Sequence, residues 1–258
     1  MDNKAFGLAD RTFIVTGGAQ GVGRALVEYG LDHGARIVAV DANRAALETL
    51  AAERPESGLR ICALDVTDEA AVEACVATTL EQFGDLHGLI NNAGIVRAAM
   101  AHEMTLDRWR QVIDVNLTGA FICLRAVGRA LIAKAERGDA APGRIVNISS
   151  DAGRRGTIGQ INYGAAKSGV LGLTMSAARE WARHGINVNS VCYGVVETPM
   201  TETIRDERFR ERYIRQIPLG RFSAADEVAP ATWFLLTDAA SYITGQHLAV
   251  DGGFHITA

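Results

Sequence analysis

Tyr163 and Lys167 stand four residues apart, in Tyr163-Gly-Ala-Ala-Lys167. On a helix this spacing is about one turn, so a phenol and an ammonium share a face. A free tyrosine titrates near ~10 and is a poor base at neutral pH. A neighbouring cation favours the phenolate. The pair is therefore a candidate acid/base device for the proton of an alcohol. Alone it is weak, because Y-x-x-x-K arises by chance in many chains of this length.

A second constellation is Thr16-Gly17-Gly18-Ala19-Gln20-Gly21-Val22-Gly23-Arg24. Glycines here let the backbone turn tightly and approach a pyrophosphate, which can then sit on the N–H groups of a helix N-terminus. The spacing is G-x-x-x-G-x-G. A phosphate-cradling G-x-x-x-x-G-K-[ST] loop fails, since Arg24 and Ala25 stand where Lys and a metal-binding hydroxyl are required. Eighteen residues after Gly23, the next β-rich run ends in Asp41. A carboxylate there accepts hydrogen bonds from an adenosine ribose and repels a 2′-phosphate. Arg24 and Arg44 pull the other way and Gln20 is neutral, but the acid at the strand tip is expected to dominate. NAD(H) is thus expected over NADP(H). The competing role for Asp41 is the N-cap of the following helix.

These residues need a frame. Thr12–Thr16, Arg36–Val40, Arg60–Leu64, Gly88–Asn91, Arg144–Ile148, Ile186–Val191 and His247–Val250 read as strands, mostly continuous Val/Ile/Leu runs that are buried on both faces. Helical patterns lie between them: Gly21–His33, Asn43–Glu53, Asp68–Phe83, Leu106–Lys134, Asn162–His184 and Ala225–Leu236. This alternation implies an α/β fold, a doubly wound parallel sheet of about seven strands with helices on both faces. Without an internal linker or repeat, residues 1–258 read as a single domain.

In chain order the glycine loop is followed by Asn91-Asn92-Ala93-Gly94, Asn116, Ser149-Ser150, the Tyr163/Lys167 pair and Asp251-Gly252-Gly253. The whole set resembles the short-chain dehydrogenase/reductase family, in its branch of about 250 residues, over essentially the full chain. The resemblance implies a Rossmann-type fold and an oxidoreductase that interconverts a secondary alcohol and a ketone with a nicotinamide cofactor. It implies Tyr163 as acid/base, Ser150 (preferred over Ser149) as the group that polarises the reacting oxygen, and Lys167 also on the nicotinamide ribose. Asn116 would hold a water chain; its bland alternative is a mid-helix residue satisfying local backbone. Cofactor contacts carried over by position are Gly17, Gln20, Gly21, Val22, Gly23, Asp41, Asp65, Val66, Asn92, Ala93, Gly94, Val196 and Thr198, with Asn91 beside them.

The family's usual P-G-x-x-x-T here reads Tyr193-Gly194-Val195-Val196-Glu197-Thr198. Tyr193 is either a pocket wall or packing beneath the nicotinamide. Substrate contacts are expected from Ser150, Gln160, Tyr163 and Tyr193, in a mainly apolar pocket near Ile95, Val96, Asp151, Ala152, Val195 and Met200. Arg154 and Arg155 are either an anion site or, more simply, a solvated pair. The charged stretch Thr201–Gln216 reads as a solvated amphipathic helix with Ile204, Tyr213 and Ile217 inward, or as a lid, placed at 199–217.

Net charge is −4 with 26 Lys+Arg against 30 Asp+Glu, which argues against nucleic acid as the partner. No apolar run reaches the ~18–20 residues of a membrane span, and the N-terminal stretch lacks an export signal. A cytoplasmic location is therefore expected. The dispersed Cys62, Cys75, Cys123 and Cys192 read as small buried hydrophobes, with neither disulfide nor metal expected. The family resemblance implies a homotetramer, a dimer next, through Tyr242–Phe254 and Leu106–Lys134. Two other functions stay open: a 3-oxoacyl-thioester reductase, for which Arg129, Arg137 and Arg183 are scattered docking candidates, and a non-catalytic nucleotide-binding sensor. Methyl transfer shares the glycine loop and acidic strand tip but gives Tyr163 and Lys167 no role.

Overall fold

The computed structural model describes residues 6–55 and 58–256, so the first five residues of the N-terminal stretch lie outside the described residues. The strands are β1 (Thr12–Thr16), β2 (Arg36–Asp41), β3 (Leu59–Ala63), β4 (Gly88–Asn91), β5 (Arg144–Ser150), β6 (Asn187–Tyr193) and β7 (His247–Val250). They form one parallel sheet in the order β3-β2-β1-β4-β5-β6-β7. The connection from β3 returns to the far side of β1. The carboxyl ends of β1 and β4 therefore flank a crevice where the winding reverses, the place at which such sheets bind ligands.

Between the strands run α1 (Gly21–Asp32), α2 (Arg44–Glu53), α3 (Glu69–Phe83), α4 (Leu106–Ile113), α5 (Ala120–Glu136), α6 (Ala152–Arg155), α7 (Ile161–Trp181), α8 (Glu202–Arg205), α9 (Glu207–Ile214) and α10 (Ala225–Phe234). Local caps start several of them. Asn43, Asp68 and Thr105 accept from the N–H groups of Ala46, Ala71 and Arg108 at the heads of α2, α3 and α4, each bond contributing about 1 kcal/mol. Alternate residues of β1 leave on opposite faces. Phe13 and Val15 join a core with Leu26, Leu47 and Trp233, while Ile14 joins a second core with Val76, Leu89 and Val127. This is why the strands read as continuous apolar runs.

The expected elements are present, with shifts of a residue or two at their ends. One difference is functional. The expected helix Leu106–Lys134 is broken by a π-helical segment, Asp114–Gly119, between α4 and α5. A Cβ on Gly119 would fall 2.6 Å from Val66 Cγ2, so this turn presses closely on the β3 side of the sheet. The continuous helical run Leu106–Glu136 is also long and apolar enough to cross a bilayer, contrary to the expectation that none would be. Packing accounts for that apolarity, since Ile122, Leu124, Val127 and Leu131 lie in the core shared with α3 and α7.

The charged stretch is not one helix: it breaks at Asp206, which caps α9 by accepting from Arg208 N–H. Its inward residues are those expected. Ile204, Tyr213 and Ile214 pack with buried Ile217 onto a small third core of Val195, Phe222 and Phe254. The four cysteines are free thiols; Cys75, Cys123 and Cys192 are buried and Cys62 half-buried.

Candidate active site

A cleft of about 380 Å³ lies over the carboxyl ends of β1 to β6, within the usual range for a small-molecule site. The expected cofactor contacts line it: Gly17, Gln20, Gly21, Val22, Gly23, Asp41, Asp65, Val66, Asn92, Ala93, Gly94, Tyr163, Lys167, Val196 and Thr198. Ser150 and Tyr193 line it too, whereas Asn116 and Gln160 do not.

The head of α1 is built for an anion. Its N-cap, Gln20, makes no side-chain cap bond and the first turn has no acid, so the leading N–H groups are left for a ligand. Gly17 holds φ +63°, and a Cβ on Gly23 would fall 1.8 Å from the Gly17 carbonyl oxygen. No side chain can occupy that cradle, and the backbone is left bare to a phosphate-sized group. Thr198 closes it from the opposite side, its Cβ 3.4 Å from the position a Gly21 Cβ would take. The loop is braced from beneath. Thr16 Oγ1 accepts from Asn92 N–H at 2.9 Å and Ala93 N–H at 3.0 Å, and Asn92 Nδ2 donates back to the Thr16 carbonyl at 3.0 Å. The bracing role of Thr16 is absent from the sequence reading, because a threonine ending a strand carries no local signal of a cross-strand partner.

Asp41 is not a helix cap; Asn43 fills that position. The Asp41 carboxylate instead accepts from Ala19 N–H in the glycine loop at 3.1 Å and from Asn43 N–H at 2.9 Å, while lining the cleft. Arg24, a candidate 2′-phosphate ligand, is held by Glu28 and Glu53. Their hydrogen bonds, Glu53 first, raise its pKa further. Asp65 accepts from the Thr67 N–H and hydroxyl with one oxygen.

At the other end, Ser150 and Tyr163 line the cleft together, and the Ser150 hydroxyl favours the ionised form of the phenol. The Lys167 ammonium, almost fully buried, donates to the Ile148 carbonyl at 2.8 Å and lies 5.7 Å from the centre of the Tyr163 ring. The electrostatics differ from the sequence expectation. Burial drives the Tyr163 phenol above its ordinary value, and the Ser150 hydroxyl offsets this in part. Burial likewise pushes Lys167 down, to about 8. Desolvation is thus the dominant cause of both displacements.

Asn116 sits in the π-helical segment and is buried. Its Oδ1 accepts from Ile95 N–H at 2.8 Å and its Nδ2 donates to the Ile95 carbonyl at 2.9 Å. It thus clips the Asn-Asn-Ala-Gly loop rather than satisfying its own helix. A Cβ on Gly94 would touch Asn116 Oδ1 at 3.4 Å and Lys167 Nζ at 3.6 Å, which places the amide beside the ammonium. A π-segment at such a point is a common mark of function, and nothing in the residue types announces it.

The substrate-side expectations need correction at several points. The Tyr193 hydroxyl turns away from the cleft to bond Thr232 Oγ1 on α10, and burial pushes its pKa up. Only the body of this residue meets the cleft, and its backbone is paired on both sides, with Ser150 and Val250. Gln160 stands at the head of α7 and bridges Ala99, outside the cleft. Val96, Asp151, Ala152 and Val195 also lie off the lining, which keeps Ile95 and Met200 of the expected apolar group. Asp151 is buried and ion-paired to Arg155 at 3.2 Å, so Arg155, although at the surface like Arg154, is committed to a protein partner.

A family model described as enoyl-(acyl carrier protein) reductase matches residues 17–255. The fold, the cleft and this match together define a nicotinamide-dependent oxidoreductase, and the chain belongs to the short-chain dehydrogenase/reductase family. It is 43% identical over 251 residues to the 2,5-dichloro-2,5-cyclohexadiene-1,4-diol dehydrogenase of Sphingobium indicum, covering 96% of this chain and 98% of that one. It is 38% identical over 243 residues to the 3-oxoacyl-(acyl-carrier-protein) reductase of Salmonella typhimurium, covering 94% and 96%. A solved structure from Beutenbergia cavernae, described as an NAD(P)-dependent gluconate 5-dehydrogenase with NADP bound at low occupancy, superposes with a TM-score of 0.90. It is 34% identical, covering 98% of this chain and 100% of that one.

Proposed function

We propose that this protein is an NAD(H)-dependent dehydrogenase of secondary alcohols whose remainder is apolar, cyclic alcohols and diols foremost. The observation that carries the reading is the Ser150–Tyr163–Lys167 constellation, set at the end of a cleft whose other end offers an uncapped helix and an acid at the β2 tip. A bound nicotinamide supplies the hydride acceptor or donor. Gly17 to Gly23 and Thr198 would hold its pyrophosphate, Asp41 and Asp65 its adenosine side, and Lys167 and Val196 its nicotinamide side.

Tyr163 takes the hydroxyl proton in oxidation and returns it in reduction, while Ser150 holds the reacting oxygen, an electrostatic role that contributes a few kcal/mol. Lys167 favours the phenolate, and Asn116 fixes the loop beside it. Preference for NAD(H) is supported by Asp41 and by the engagement of Arg24 with two glutamates. The apolar substrate class is supported by Ile95 and Met200 in the lining and by Arg155 being committed to Asp151. The Sphingobium relative, named for a cyclic diol, points the same way.

The acyl-thioester reading is kept by the Salmonella relative, although Arg129, one of its three scattered docking candidates, is paired to Glu73 at 2.8 Å. Exposed Phe121 and Met175 on α5 and α7, and Leu248 on β7, suit subunit contacts and support the homotetramer. Free thiols suit a cytoplasmic setting.

The test is a panel of cyclic diols, simple secondary alcohols, hydroxyacids and acyl thioesters with NAD(H) and NADP(H) side by side, repeated with Tyr163→Phe. Turnover of cyclic alcohols with NAD, lost in the variant while NADH still binds, is expected. Turnover confined to acyl thioesters would overturn the substrate class, and NADH binding without any turnover would leave a sensor.

A further inference from the structure

Arg155 follows the catalytic serine by five residues, in the α6 turn, and its guanidinium joins three separate segments. Its Nε faces Asp151 Oδ2 at 3.2 Å, Nη1 donates to the Phe254 carbonyl at 2.5 Å, and Nη2 donates to Gln216 Oε1 at 3.0 Å. Its carbon centre also lies 4.0 Å above the centre of the Phe254 ring. None of these contacts belongs to the cofactor cradle.

Each partner leads back to the substrate end of the cleft. Asp151 adjoins Ser150, its N–H donates to the Tyr193 carbonyl at 2.9 Å, and Ala152 N–H donates to Ser150 Oγ at 3.2 Å. The turn that Arg155 ties down is thus the turn that aims the serine. Gln216 ends the charged segment whose opposite end, Met200 and Thr201, lines the cleft. Phe254 centres the small core on which Ile204, Tyr213 and Ile217 of that segment rest. The C-terminal turn fits closely against it, since a Cβ on Gly252 would fall 2.9 Å from Ile217 Cγ2.

We propose that Arg155 is a positioning residue, which locks the Ser150 turn, the lid segment 199–217 and the C-terminal turn into one arrangement and so sets the affinity of the substrate end. This rests on the reaction assigned above to Ser150 and Tyr163. A planar fork is needed to span an acid, an amide and a carbonyl at once. A lysine keeps the charge beside Asp151 but cannot make the other two bonds together.

Arg155→Lys is therefore the informative variant, with Gln216→Leu as its counterpart on the lid. Steady-state kinetics should show KM for the alcohol raised about tenfold in Arg155→Lys and about threefold in Gln216→Leu. kcat should fall less than KM rises, and the Kd of NADH should stay within twofold. Trypsin should cut at the lid arginines, Arg205 to Arg215, at least fivefold faster in Arg155→Lys at unchanged global Tm. Wild-type KM with a wild-type cleavage rate in both variants would overturn the proposal, as would equal losses in NADH and alcohol binding. The cleavage comparison needs no turnover, so it decides the role of Arg155 even if the reading of the reaction fails. A wild-type enzyme inert toward every alcohol and ketone would refute that reading alone.

Discussion

Replacing Asp41 with asparagine separates charge from shape at the residue proposed to set cofactor choice. An asparagine oxygen can still accept from Ala19 N–H, the bond that ties the β2 tip to the glycine loop at 3.1 Å, so the cradle persists while the negative charge is removed. Two unit charges ~4 Å apart interact by about 4 kcal/mol at an effective dielectric of ~20. Asp41 is only half-buried, and salt screening and water access should leave about half of that. Relief of roughly 2 kcal/mol of repulsion corresponds to about a 30-fold change in preference. Of the two nearby arginines, Arg24 is already held by Glu28 and Glu53, which leaves Arg44 at the head of α2 as the cation nearer to a 2′-phosphate. The assay is kcat/KM for NAD and NADP with one alcohol, supported by fluorescence titration of NADH and NADPH. The NAD-to-NADP ratio should fall about 30-fold in Asp41→Asn, most of it as a gain with NADP. Asp41→Ala should in addition weaken NAD(H) severalfold, because the Ala19 N–H loses its partner at a cost of about 1 kcal/mol. A ratio within threefold of wild type in Asp41→Asn would refute the assignment of Asp41.

Two further substitutions test the corrected site. Lys167 is pushed from 10.5 to about 8 by burial, so between those values the unfolded chain binds more protons and stability rises with pH; below about 8 the cost of the buried cation is fully present. Lys167→Met should therefore abolish turnover yet stabilise the fold at pH 7 by about 2 kcal/mol, after allowing ~1 kcal/mol for the lost bond to Ile148. That is roughly 5 °C in Tm by calorimetry, a gain that should vanish near pH 10.5. Tyr193→Phe removes a hydroxyl that serves Thr232 rather than the cleft, so it should cost about 1 kcal/mol in denaturant unfolding and leave the alcohol KM within twofold; a tenfold rise in KM would restore Tyr193 as a substrate ligand.

Much of the frame was legible because the sheet is buried on both faces. A strand such as Phe13-Ile14-Val15 feeds two cores at once, so its residues must all be apolar, and turn glycines and helix caps separate it from its neighbours. The cleft-lining residues were legible for a related reason: the glycine loop, Asp41, Ser150, Tyr163 and Lys167 follow strand ends or share a helix face, so local spacing places them. What stayed hidden depends on contacts distant in sequence. The Tyr193 hydroxyl is committed to Thr232, 39 residues away, and Arg155 to Phe254, 99 residues away. The π-segment carrying Asn116 reads as ordinary helix because its residue types suit either winding, and only the close fit of Gly119 on Val66 and the clip on Ile95 reveal it.

The upward displacement of Tyr163 and the downward displacement of Lys167 belong to the same design as the chemistry. Each group is driven toward its neutral form chiefly by burial. The same burial strengthens any charge interaction made there, since the effective dielectric falls away from bulk water. A positive ring bound beside the phenol would act through this medium, and the closely set cation of Lys167 would reinforce it. A more solvated tyrosine would start nearer its ordinary value and gain less from either charge, so burial is what couples the acid/base strength of Tyr163 to the occupancy of the cleft.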